Sequence, residues 1–126
     1  KAPLARLAAA AVVGVDPAHM GIGPAPAIRL LLERAGLKLD DVARFEINEA
    51  QGAQTLAVGR ELGLDLERLN VHGGAIALGH PLAATGVRCT LTVARQIQAI
   101  GARWGVASAC VGGGQGIALL VENPVA

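Results

Sequence analysis

The chain has 126 residues, 52% hydrophobic and 17% charged, and its 11 Lys and Arg against 10 Asp and Glu give a formal charge of +1. That length suits one domain, excludes two catalytic domains, and lets a compact chain bury roughly 65% of its unfolded surface without staples. With one Phe, one Trp, no Tyr and no basic run, it has neither the stacking platforms nor the cationic footprint of a nucleic-acid binder.

Apolar residues 7–15 predict a buried strand, although the Ala run would also suit a helix, and Gly14, Asp16 and Pro17 close it. After a loop at 21–26, Ile28, Leu31, Leu32 and Ala35 recur at i, i+3, i+4 and i+7, which predicts an amphipathic helix ending at Gly36. A short strand follows at 44–48, a helix at 50–62 stopped by Gly63, and a third strand at 69–72. Beyond a loop rich in Gly and Pro, Val87, Leu91, Ala94 and Ile97 mark one face of a helix that ends near Gly101. Strands near 103–111 and 116–122 close the chain. The fold class is therefore α/β: one domain over 1–126, a five-stranded mixed sheet with helices packed on it, in the order β-α-β-α-β-α-β-β.

Mean hydropathy of +0.47 is high for a short chain and predicts apolar surface covered by a partner or a missing half. Cys89 and Cys110 make neither a disulfide framework nor a zinc quartet, so reduced thiols in the cytoplasm are expected. The run at 7–15 is too short for a membrane helix, and the uncharged stretch at 105–121 carries Gly112, Gly113, Gly114 and Gly116, which make a poor one. No membrane association is expected. The three histidines have no metal-ligand spacing, so no metal and no permanently bound cofactor is expected. The first residue is Lys1, not Met, so the native start is expected to lie elsewhere.

Three segments concentrate reactive side chains: Asn48-Glu49-Ala50, Gly79-His80-Pro81, and Cys110 with the glycines after it. Each lies at or just after a predicted strand, and sites in α/β sheets collect at the carboxyl ends of strands. His80 precedes a helix N-terminus, whose partial positive charge favours a neutral ring able to accept a proton, so it reads as a general base; the plainer reading is a solvated loop histidine. Cys110 reads either as a small buried hydrophobe or as a proton-transfer group beside glycines that let a backbone N–H approach a ligand. Asn48 could cap the next helix or hold a water against an oxyanion. Cys89, inside the last helix, reads as structural. A phosphate cradle is disfavoured because a strand, not a helix, follows the glycines.

Taken together, residues 15–24 (Val-Asp-Pro-Ala-His-Met-Gly-Ile-Gly-Pro), Asn48-Glu49-Ala50, residues 70–81 through Gly79-His80-Pro81, and Cys110-Val111-Gly112-Gly113-Gly114-Gln115-Gly116 resemble the C-terminal domain of the thiolases, from about residue 10 onward. The resemblance implies a half-domain with a five-stranded mixed sheet between helical layers. It further implies acyl transfer on coenzyme A thioesters, by thiolytic cleavage of a 3-ketoacyl-CoA in fatty acid β-oxidation or by the reverse Claisen condensation. Coenzyme A would be a substrate. By motif, His80 would activate a nucleophilic thiol and, with a water held by Asn48, form an oxyanion hole. The Gly112 N–H would stabilise the acyl-enzyme, and Cys110 would be the general acid/base.

The family's acyl-accepting cysteine belongs to an N-terminal domain that no part of this sequence resembles. The resemblance thus implies a partner N-terminal domain, a homodimer or homotetramer, and a chain inactive alone. Gln51 and Gly52 stand where the family usually has Phe-Ala, and His72 where Asn is frequent. The competing reading is a non-catalytic thiolase-like module serving assembly or acyl-CoA and lipid binding.

Overall fold

The computed structural model describes residues 3–126. Strand β1 (Arg6–Gly14) leads through a 3-10 turn (Pro17–Ile22) into helix α1 (Pro24–Ala35). Two prolines fit the first turn of α1, where a missing N–H costs nothing. Gly36 closes it in the left-handed region at φ 66°, its N–H returned to the carbonyls of Glu33 and Leu32. Then come β2 (Arg44–Ile47), α2 (Gly52–Leu62), a single turn α3 (Ala75–Leu78), α4 (Thr85–Ala99), β3 (Trp104–Val111) and β4 (Gln115–Glu122).

Among the described residues the sheet has four strands in the order β1-β4-β3-β2. β2 runs parallel to β3, while β4 is antiparallel to both β3 and β1. The mixed α/β architecture stands, but the five strands and the alternating order predicted from the sequence are corrected. The expected strand at 69–72 contributes one bridge, Leu69 to Phe45. The reason lies in Asn70, which turns to φ 46° and uses its side chain as a substitute for backbone. Its Oδ1 accepts from Ile47 N and its Nδ2 donates to Ile47 O, each at 2.9 Å. The carboxamide caps the edge of β2 where further ladder would run, and the chain is free to leave.

One face of the sheet carries the main core. Ile28, Leu31 and Leu32 of α1 pack with Phe45, Ile47, Val106, Ala118 and Leu120; each such side chain contributes about 1.5–3 kcal/mol through burial. On the other face a smaller cluster joins Cys89, Val93, Ala94 and Ile97 of α4 to Ala107 and Val121. The expected face of this helix is corrected in part: Ala94 and Ile97 are buried, but Val87 and Leu91 are exposed. The helix is rotated so that Arg88 and Gln96 reach the buried Glu46 on β2. β1 is an edge strand with only Ala11 buried, not the buried strand expected.

Candidate functional site

Since β2 and β3 are parallel, their carboxyl ends share one edge. Asn48 N donates to Ser108 O at 2.9 Å, which carries the ladder one residue past β2 and sets Asn48 beside Ala109. Cys110 follows directly and pairs with Gly116 across the hairpin. Helix α4 runs back into β3, so its first turn lies at the same edge. Thr85 and Gly86 there line an apolar cavity of about 80 Å³ with Ala107, Ser108 and Ala109. His80 is tied to that turn, its Nδ1 lying 2.6 Å from Thr85 Oγ1.

The hairpin needs glycine for two reasons. Gly114 has φ 88°, and a Cβ there would meet Val15 O at 2.3 Å; a Cβ on Gly116 would meet Gly23 O at 2.0 Å. Gly112 sits exposed on this turn, its carbonyl accepting from Gln115 Nε2 at 3.2 Å.

The fold thus brings Asn48, His80, Cys110 and Gly112 to one edge, although no side-chain hydrogen bond joins any two of them among the described residues. Asn48 is 2% exposed, and its Oδ1 is enclosed without a protein partner. An unpaired buried oxygen costs about 1–3 kcal/mol. Cys110 is a buried free thiol, and burial pushes that thiol upward, so it keeps its proton at neutral pH. His80 is exposed at the mouth of the edge. Burial also pushes the Cys89 thiol up; this residue lies in the α4 cluster, in keeping with a packing role. His19 and His72 are exposed and outside this arrangement.

Two contributors were given no role by the sequence, Glu49 within the Asn48-Glu49-Ala50 segment and Thr85 beyond the motifs. Glu49 Oε1 accepts from Asn70 Nδ2 at 3.0 Å and Oε2 accepts from Ile76 N at 3.1 Å, fastening the loop that leads to His80 onto the end of β2. Gly74 makes room for that carboxylate, which would lie 2.3 Å from a Cβ. Thr85 is the other, buried and in hydrogen-bond contact with His80 Nδ1. The available signal was a hydroxyl in the first helical turn after a histidine, too common to single out. No group of three or more metal-ligating side chains lies together among the described residues. No described helix is long and apolar enough to cross a membrane.

A mixed α/β domain with these groups at the strand ends has many counterparts among known proteins. Residues 1–123 match the family model described as "Thiolase, C-terminal domain", and the chain belongs to that family. It is 52% identical over 121 residues to acetyl-CoA acetyltransferase of Escherichia coli, covering 96% of this chain and 31% of that protein. It is 50% identical over 121 residues to human mitochondrial 3-ketoacyl-CoA thiolase, covering 96% of this chain and 30% of that one. Among solved structures, Bacillus anthracis acetyl-CoA acetyltransferase superposes with a TM-score of 0.93 at 51% identity, covering 96% of this chain and 31% of that chain. The human mitochondrial 3-ketoacyl-CoA thiolase in complex with CoA superposes with a TM-score of 0.94 at 50% identity, covering 97% and 31%. The chain therefore spans about 31% of the length of the proteins it matches.

Proposed function

We propose that this chain is the C-terminal domain of a thiolase, an acyltransferase on coenzyme A thioesters, which cleaves a 3-ketoacyl-CoA with CoA or runs the reverse Claisen condensation. The observation that carries the reading is the meeting of Asn48, His80 and Cys110 at one sheet edge in a chain about half identical to such enzymes.

In this reading an N-terminal domain supplies the cysteine that takes the acyl group, and coenzyme A comes and goes as substrate. His80 removes the proton of that thiol and afterwards donates to the substrate oxyanion. The enclosed Asn48 Oδ1 is an acceptor suited to a water that gives its other hydrogen to the same oxyanion. Cys110, holding its proton because burial raises the thiol, is the resting acid that protonates the departing carbanion; in the condensing direction its thiolate is the base. The Gly112 N–H stabilises the acyl-enzyme. The reading extends to a homodimer or homotetramer, to a cytoplasmic setting, and to fatty acid metabolism.

The test uses the full-length polypeptide. It should cleave acetoacetyl-CoA or a longer ketoacyl-CoA, the 126-residue chain alone should not, and His80→Ala should lower turnover by at least about 100-fold, the smaller end of general acid–base contributions. Turnover of the His80 variant within a few-fold of the parent overturns the role given to His80.

A further inference from the structure

His80 follows Gly79, which takes φ 94°, and its ring stands exposed. Its only side-chain hydrogen bond among the described residues is the 2.6 Å contact of Nδ1 with Thr85 Oγ1. Thr85 itself is fixed: it is 4% exposed, it opens α4, and its Oγ1 lies 3.1 Å from Pro81 O.

We propose that Thr85 is the positioning residue that sets both the orientation and the tautomer of His80. The proposal rests on the base role given to His80 above. A threonine hydroxyl has one hydrogen and two lone pairs. Pro81 O can only accept, and in the proposed arrangement it shares the hydroxyl hydrogen, at 3.1 Å, with the N–H groups of Ala84 and Thr85 that it also accepts. The oxygen then receives Nδ1–H from His80, and the ring is left with Nε2 bare. This arrangement serves both states of a base, because Nδ1 remains a donor to Thr85 before and after Nε2 gains a proton. The reverse polarity, with the hydroxyl donating to Nδ1, leaves Nε2 protonated at rest and removes the acceptor that a base needs.

The role reaches the substrate only through His80, so its signature differs from that of a binding residue. In the full-length polypeptide, Thr85→Val keeps the shape and loses the acceptor. It should lower kcat by about 10- to 100-fold, the scale seen when the hydrogen-bond partner of a metal-bound imidazole is removed, with KM within a few-fold of the parent. Thr85→Ser should restore most of the rate. Histidine-selective 15N NMR reads the second signature without turnover: the parent should show neutral His80 as the Nδ1–H tautomer, and Thr85→Val a mixture.

The outcomes separate the two claims. A parent that does not turn over ketoacyl-CoA overturns the proposed function, while the tautomer is still read from the same sample. An Nε2–H tautomer in the parent overturns the present proposal and needs no variant to fold. A Thr85→Val enzyme with unchanged kcat and unchanged tautomer overturns it as well.

Discussion

The two faces of the sheet are built differently. Under α1, the side chains of Ile28, Leu31, Phe45, Ile47 and Val106 are fully enclosed, and the surface is apolar and closed. Under α4, the helix covers β2 and β3, while Ile117 and Leu119 toward β4 are only partly covered. Val12 on the neighbouring edge strand is 58% exposed, and Val87 and Leu91 of the helix are 69% and 41% exposed. This face also holds the buried Glu46 with Arg88 and Gln96, the apolar cavity, and the turn that carries Thr85. The closed face secures the fold, and the open one positions chemistry while leaving apolar surface uncovered. In the proposed reading the N-terminal domain is what covers it, which would account for the high mean hydropathy.

The sharpest way to break this comparison is to open the closed face. Phe45 is the largest fully enclosed side chain, and truncating it leaves a cavity in a close-packed core. Phe45→Ala should cost about 4 kcal/mol, read from chemical denaturation. A loss near 1 kcal/mol would mean that the α1 face is loosely packed and the contrast false.

The next effect lies in the polar heart of the open face. Glu46 is 0% exposed and is bonded by Arg88 Nη1 at 2.8 Å and Gln96 Nε2 at 2.9 Å. Arg88 Nε and Nη2 are enclosed without partners, so the pair is costly to keep and costlier to break. Arg88→Met strands a buried carboxylate and should lose about 3 kcal/mol at neutral pH, much of it recovered by adding Glu46→Gln. Burial pushes the Glu46 carboxyl upward, against the opposing pull of Gln96 and Arg88. A carboxyl that binds its proton more tightly when folded than when unfolded favours folding in acid, and that advantage is lost as pH rises above the ordinary value of 4.5 through the raised one. Stability should therefore decline across that window, and Glu46→Gln should flatten the decline in denaturation midpoints measured against pH.

The same contrast explains what was legible in the sequence. Helix α1 could be placed because Ile28, Leu31 and Leu32 face a closed apolar surface, where a 3.6-residue period has one meaning, and because Gly36 ends it in a conformation glycine favours. Helix α4 has apolar residues on two sides. A period cannot say which side meets the sheet when Arg88 and Gln96, polar by type, turn inward to Glu46. The strand expected at 69–72 failed for a related reason: Leu69, Asn70, Val71 and His72 alternate apolar and polar as a strand does, but the Asn70 carboxamide replaces the ladder through bonds between residues 23 apart. At the candidate site, Asn48, His80, Cys110 and Gly112 were visible as motifs next to strand ends. Glu49 and Thr85 act through bonds that exist only once distant segments meet, or that look like ordinary helix chemistry, and neither announces itself in one dimension.

The smallest effect discriminates most. Val87 and Leu91 lie one turn apart on the outer side of α4; Val87 is largely in water, whereas Leu91 is a little more than half covered. In the 126-residue chain, Val87→Ser should change stability by no more than about 0.5 kcal/mol and Leu91→Ser by about 1 kcal/mol, although both would rank as core positions by periodicity alone. In the full-length polypeptide the same changes should lower the denaturation midpoint clearly, because there the proposed N-terminal domain encloses them. Equal, small effects in both settings would mean that this side of α4 stays in solvent and that its apolar character needs another cause. A large loss in the short chain would place these residues in a core, and the two faces would no longer differ.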